Sequence, residues 1–542
     1  MKFFHNKGVS VILLSILLSA IFTACQNKEI IGEDPYAGGK EALGVRFIGD
    51  YPTPESGLPG SSVTFSVEGL AAWEGKFDFF INDEPAEVMS VTDSTIQVIV
   101  PEEASSGGAS ISLEGQVFFG PRFNIEGNVS LDENYEVVNG TNSPVQDLID
   151  FQSGYVLVGS FTNFENKAGA GTWINRIVSI SSLGAYQENI NSTKGANGTL
   201  LSINRLSDGK YIVSGAFNSY NDIGGINGIT RLNADFSIDS IRKEMINLTP
   251  DEPLNGWDTV ATFNGGVFGT VLKSFVSQTP DKGEQITVVG DFRQYGSYYY
   301  ERATRDYQPM DIVTVPQVVR MDTHGKIDST YNFDKAAGKF NLGGNGFVLD
   351  AVQTADNKIV LVGSFTTFHG ESANYIVMLD EDGHVDPAFN VGSGANDVVS
   401  SIEYDPVSDT YLLVGAFSSF NGQQANRIVR INGDGAIDQS FEVSEFEGGE
   451  PNFAYQLKSG MIIVSGTFEK YNNITRRGFL ILNNDGTVTQ KYNNVGAFEG
   501  KIHKVVETSS TLGHPAVLLI GYIGKFNDQD AGNIIRVEIK NN

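Results

Sequence analysis

Few residues of this chain are of the types that make or break covalent bonds, and their spacing withholds most familiar chemistries. Beyond His5 there are five histidines, His324, His369, His384, His503 and His514. They share no spacing with one another, so a common metal centre is not expected. The chain has no G-x-S-x-G elbow for a nucleophilic serine, no H-E-x-x-H pair for zinc and no glycine-rich loop for phosphates. Asp380-Glu381-Asp382-Gly383 with Asp386, Asn432-Gly433-Asp434-Gly435 with Asp438, and Asn483-Asn484-Asp485-Gly486 echo the alternating acids of calcium loops. None supplies the late bidentate glutamate, and Asp-Gly is the expected residue pair of a tight hairpin turn. Carboxylate pairs for glycoside hydrolysis abound in so acidic a chain and discriminate nothing. The expectation is a protein without catalytic residues, metal or cofactor.

One residue does point to covalent modification. Cys25 is the only cysteine of 542 residues. Lys2 and Lys7 precede an apolar run, Val11 to Phe22, which is shorter than the roughly 20 residues a spanning helix needs. The run ends in Phe22-Thr23-Ala24-Cys25, which resembles a bacterial lipobox, with Phe22 departing from the usual aliphatic residue. The resemblance implies a signal peptide over residues 1–24, acylation of Cys25, and a Gly- and Pro-interrupted tether over 25–43 that anchors the protein to a membrane. Such a coil gives a reach of roughly 25 Å. No Asp follows the cysteine, which favours the outer membrane. Gln26-Asn27-Lys28-Glu29 resembles the surface-export signals of Bacteroidetes lipoproteins, implying a body that faces the cell exterior.

Recognition residues form a second group. Residues 244–284 and 293–317 interrupt the repeat pattern described below. The latter holds Arg293, Tyr295, Tyr298, Tyr299, Tyr300, Arg302, Arg305 and Tyr307, and the former holds Trp257. Tyrosine and arginine together suit a partner-binding surface, because a rigid ring offers area and a polar handle. The plain alternative is a long loop tucking its rings against a neighbouring sheet, and stacking on the sugars of a glycan or gripping a peptide is a further reading. The formal charge of −28 argues against nucleic acid, which needs a basic footprint.

The elements that would position these residues are short strands. There are 61 glycines and 35 phenylalanines, with few Leu-rich amphipathic runs, so an all-β fold is expected. Residues 44–126 alternate apolar and polar types in Ser62-Val63-Thr64-Phe65-Ser66-Val67, Phe77 to Ile81, Thr95 to Val100 and Gly107 to Leu113. This order, with P-x-x-G-x-x-G before a strand, resembles an IPT/TIG domain, an immunoglobulin-like sandwich.

Residues 127–542 repeat. An apolar strand, a glycine, a variable residue, a phenylalanine and an aromatic three residues later recur at Gly159, Gly215, Gly290, Gly363, Gly415 and Gly466, with a degraded copy at Gly521. A second strand and an Asp-Gly turn follow, as in Asp382-Gly383-His384-Val385-Asp386-Pro387-Ala388-Phe389. Four strands per unit is the composition of a β-propeller blade. The last repeat lacks its closing segment, while residues 128–140, with Leu131-Asp132-Glu133-Asn134-Tyr135, look like that segment moved to the front. A closed seven-bladed ring is therefore expected rather than an open array.

The G-x-F core and the D-G-x-x-D-x-x-F turn resemble the bacterial delta-sixty repeat propellers. Their pairing with an IPT/TIG-like domain behind a lipobox resembles Bacteroidetes surface lipoproteins, some associated with SusC/SusD-type nutrient importers. The resemblance implies a non-enzymatic importer accessory that captures glycan or peptide or assembles the complex. A structural or adhesive module is the second reading. A propeller hydrolase or lyase is the third, and it requires acids or histidines converging in a deep pocket.

Overall fold

The computed structural model describes residues 42–541. The signal peptide, Cys25 and all of the tether before Ala42 lie outside the described residues. Within them the chain is all-β, with three single 3-10 turns and no α-helix.

The N-terminal unit shows how alternation becomes a sandwich. In Ser62–Glu68 the residues Val63, Phe65 and Val67 point inward while their neighbours meet solvent. Asn82 and Asp83 both take positive φ, so Asp78–Ile81 reverses directly into Glu84–Val91. The first half of Glu84–Val91 pairs with Asp78–Ile81 and the second half with Thr95–Ile99, which carries the chain between the two layers. Phe65, Phe79 and Phe123 fill the space between, with Phe65 centred 5.0 Å from Phe79 and 6.4 Å from Phe123. Each such ring stabilises the core by about 1.5–3 kcal/mol. Gly107–Leu113 does not close the unit. Glu114-Gly115 turns it into Gln116–Ile125, the longest strand of the unit.

From Val129 onward the structure is a β-propeller. Seven sheets follow one another, led by Val145–Phe151, Thr199–Arg205, Gly266–Thr279, Val348–Gln353, Val399–Asp405, Pro451–Gln456 and Glu499–Ser509. Each leading strand lies beside the next, and Val145–Phe151 lies beside Glu499–Ser509, so the ring closes. The hydrophobic clusters fill the gaps between neighbouring sheets. Val145, Leu148 and Leu157 of the first, for example, pack with Leu518, Ile520 and Ile534 of the last.

The repeat glycines are explained by close approach. A Cβ on Gly363 would run into the carbonyl oxygen of Phe347, and one on Gly521 into that of Lys501. The aromatics three residues beyond the repeat phenylalanines, Phe164, Tyr220, Tyr295, Phe368, Phe420, Tyr471 and Phe526, are all buried. The fourth strand expected of each repeat is slight: in the second to sixth sheets it is a single bridge, such as Leu379 to Val385 or Ile431 to Ile437. In the seventh it is a true strand, Val129–Leu131, paired with Val537 to Ile539.

In the second, third and fifth sheets an arginine on the third strand locks the closing turn. Arg231, Arg320 and Arg430 bond Asp239, Asp328 and Asp438, and each donates through Nη1 to a turn carbonyl of the next sheet, at Thr323, Glu381 and Asn484. The N-terminal unit seats on the sixth and seventh sheets. Arg477 meets Asp83 at 2.6 Å, Arg476 meets Glu103, and Arg122 grips Asp528 and Asn527.

Candidate functional site

The long third repeat is not two loops. Ser240–Glu244 and Trp257–Ala261 form an added hairpin, closed by the turn Pro253–Gly256. Residues 266–284 belong to the sheet itself, because Gly266–Thr279 is its leading strand. The second strand, Gly283–Tyr298, runs past the usual end. Its first part pairs with Val318–Asp322 and its extension with Met310–Thr314, so one long strand takes two partners in succession.

The residues expected to bind a partner separate on this frame. Tyr295 is a correction: it is buried, and its hydroxyl donates to the Gly325 carbonyl at 2.6 Å. It occupies the repeat position of Tyr220 and Tyr471, whose hydroxyls likewise bond the turn carbonyls of Phe236 and Gly486. The repeat register, which already contained Tyr295, marked it as core. Tyr298 and Tyr300 stack at 5.7 Å, and Tyr300 packs against Met245, Val260 and Ala303 under the added hairpin. Arg305 bonds the Asn255 side chain at 2.7 Å and so ties the two segments together.

The remaining candidates face outward. Tyr307 is 68% exposed, Tyr299 is exposed with Arg302 against its ring, and Trp257 is exposed beneath the Arg242 guanidinium at 5.0 Å. The structure adds aliphatic and aromatic neighbours that the aromatic pattern did not single out: Ile241, Ile246, Leu248, Leu254, Phe268 and Ile312, all exposed. Large apolar residues gathered on one exposed segment mark an interaction surface more strongly than scattered ones.

A second candidate lies at the axis. Each of the seven leading strands carries a β-bulge at the same place, just before Asp147, Ser202, Lys273, Asp350, Ser401, Phe453 and Lys504. Bulges re-aim side chains. Six of these strands, all but Pro451–Gln456, line a cavity of about 500 Å³ that includes Asp147, Ser202, Lys273, Glu403, His503 and Lys504. Lys504 bonds Asp147 at 2.6 Å and Lys273 bonds Asp350 at 2.5 Å. The same relay repeats twice. Asp147 also accepts from the Ile203 amide of the next sheet, and Asp350 from the Ile402 amide. His503 meets the Val145 carbonyl through Nδ1, and burial holds it below the usual histidine range. Glu403 differs. Burial pushes its carboxyl up to about 7, with the Lys273 charge opposing and the Asp350 charge adding. The sequence signal was a charged residue inside an apolar strand, as in Val271-Leu272-Lys273 and Val348-Leu349-Asp350.

The acidic turns resolve differently. Asp380 accepts from the Asp382 and His384 amides, Asp386 pairs with Lys358 at 2.9 Å, and Asp438 pairs with Arg430. Among the described residues no three His, Cys, Asp or Glu side chains are grouped to hold a metal ion.

Comparison with known families agrees with the two-part architecture. Residues 21–121 match a domain of unknown function (DUF5008). Residues 206–240, 354–389, 409–441 and 457–488 match a domain of unknown function (DUF5122) described as a beta-propeller. No curated protein matches. Among solved structures, similar chains include a protein of unknown function from Bacteroides thetaiotaomicron, at 10% identity and TM-score 0.24, covering 92% of this chain and 99% of that one. An auxiliary nutrient binding protein from Bacteroides ovatus aligns at 13% identity and TM-score 0.20, covering 68% of this chain and 95% of that one. Sqt1 from Chaetomium thermophilum aligns at 8% identity and TM-score 0.36, covering 76% and 98%. At these scores the likenesses carry no functional argument.

Proposed function

We propose that this protein is a non-enzymatic, lipid-anchored accessory of an outer-membrane nutrient importer of the SusC/SusD type, displayed on the cell exterior. In this reading residues 44–126 form an IPT/TIG-like spacer and the seven sheets are the blades of one propeller. The observation that carries it is the exposed apolar and aromatic surface of the third sheet, built from Leu248, Leu254, Trp257, Tyr299 and Tyr307. A lipid anchor on Cys25 would keep such a surface close to proteins embedded in the same membrane. Two aspartates near the axis serve the structure. Asp147 and Asp350 are each held by a lysine and a backbone amide, which removes them from acid–base work.

The test is recovery of the tagged lipoprotein from outer membranes in mild detergent, with partners identified by mass spectrometry. An importer pair should accompany the native protein and be lost from a Leu248→Asp/Leu254→Asp double variant. Recovery of the native protein alone would overturn the importer role and favour an adhesive module.

A further inference from the structure

The axial cavity mixes charged groups with apolar lining from Leu201, Ile203, Phe275 and Val352, and its charges are unevenly satisfied. Lys504 bonds Asp147 and the Leu148 carbonyl, and Lys273 bonds Asp350 and the Ala351 carbonyl. These four charges cancel in pairs. Glu403, on the strand Val399–Asp405, lines the same cavity, and its carboxylate has no hydrogen-bond partner among the described residues. A recessed carboxyl without a partner is costly, and a cation supplied by a ligand would relieve it. Beside these charges one stretch of the wall is rich in hydroxyls. Asn204 donates to Ser274 at 2.9 Å, Ser274 lies 3.2 Å from Ser202, and Ser214 lies 3.0 Å from Ser274. The volume, about 500 Å³, is in the range that holds small molecules, roughly 300–1,000 Å³.

We propose that this cavity binds a small hydroxylated amine, with its ammonium group paired to Glu403 and its hydroxyls on the Ser202, Asn204 and Ser274 wall. The unbalanced charge selects a monocation, and the serine wall selects a polyol over an aliphatic amine. The chain's overall charge of −28 raises the local concentration of cations. The site is separate from the apolar surface of the third sheet and does not depend on the importer reading. The groups facing Glu403 are Lys273, Asp350 and Lys504 across the cavity, with Tyr455 beside it on the next sheet. Burial raises its carboxyl to about 7, so it is ionised above that pH and neutral below it.

The test is calorimetric titration of the full-length lipoprotein in mild detergent with glucamine, and separately with sorbitol, its counterpart bearing a hydroxyl in place of the amine. Glucamine should bind at pH 8, about tenfold more weakly at pH 6, and at least tenfold more tightly than sorbitol. Glu403→Gln, nearly isosteric, should lose glucamine binding by tenfold or more while keeping the wild-type Tm. Val117→Ala, on the exposed face of the N-terminal unit, should leave it unchanged. Equal binding of glucamine and sorbitol, undiminished binding by Glu403→Gln, or no binding of glucamine at millimolar concentration would each overturn the proposal. If Glu403→Gln does not fold, Ser202→Ala takes its place and should weaken glucamine severalfold, with no change overturning the hydroxyl wall.

Discussion

Arg536 donates through Nε to Asp132 at 2.7 Å, joining two residues 404 positions apart in the chain. Its Nη1 reaches the Ser182 carbonyl of the first sheet, and its guanidinium lies 4.9 Å from the centre of the Tyr135 ring. The same contacts occur locally around Arg430, with Asp438 and Phe441. The ring is therefore latched by the device that the second, third and fifth sheets use internally, with the acid and the aromatic taken from the front of the chain.

Both side chains of this latch are nearly inaccessible, 1% exposed for Asp132 and 4% for Arg536. Removing one partner strands the other charge, so Asp132→Ala should cost about 3–5 kcal/mol. Asp222→Ala, which breaks the exposed pair with Lys194, should cost about 0–1 kcal/mol. Urea denaturation of the two variants beside the wild type checks the contrast.

Tyr295 and Tyr307 should part in the same experiment. Tyr295→Phe removes the bond to the Gly325 carbonyl and should cost about 1–3 kcal/mol, because a buried acceptor is left unpaired. Tyr307→Ala should stay within about 0.5 kcal/mol of wild type, as exposed substitutions do. Thermal unfolding followed by tyrosine fluorescence reads both.

Gly363→Ala should destabilise by at least about 1–3 kcal/mol, since the added methyl has no room against the Phe347 carbonyl. Gly209→Ala tests a different cause. Its φ is +85° in open space, so any loss there comes from backbone strain alone. Denaturation midpoints of the pair separate packing from conformation.

Acid should loosen the closing turn of the third sheet. Burial alone would raise the Asp328 carboxyl, but bonds from Lys282 and Thr330 and the Arg320 charge outweigh it and hold it at about 2. A carboxyl lower in the folded state than its ordinary 3.8 adds stability above that value, and loses it as pH falls towards 2. The wild-type Tm should therefore drop between pH 4 and pH 2 more steeply than that of Asp328→Asn, whose Tm should already be lower at pH 7.

Much of this was legible in the residues. The repeat phrase marked the inner glycines and buried aromatics because a tightly packed position tolerates few residue types. Asp132 to Tyr135 betrayed the closing segment because it copies Asp438 to Phe441. The axial charges were not legible as a group. Asp147, Lys273 and Lys504 stand in three separate repeats, and only the ring brings them into one cavity. The reach of the third repeat was also misjudged, since an extended hairpin reads like an insertion when its strand partner, Met310–Thr314, comes from beyond the turn. Tyr295 shows the opposite error, in which composition of the surrounding segment outweighed the repeat register.

The pairing of Val129–Leu131 with Val537 to Ile539 has a consequence for how the molecule is made. The seventh sheet cannot be completed until the last strand has left the ribosome, although one of its strands was among the earliest of the propeller to be synthesised. That early strand must wait, with an open edge able to pair with any other chain. Bringing its ends together across some four hundred residues is a late and slow step of assembly. Premature truncation near residue 530 should therefore yield not a six-sheet ring but an open, aggregation-prone arc.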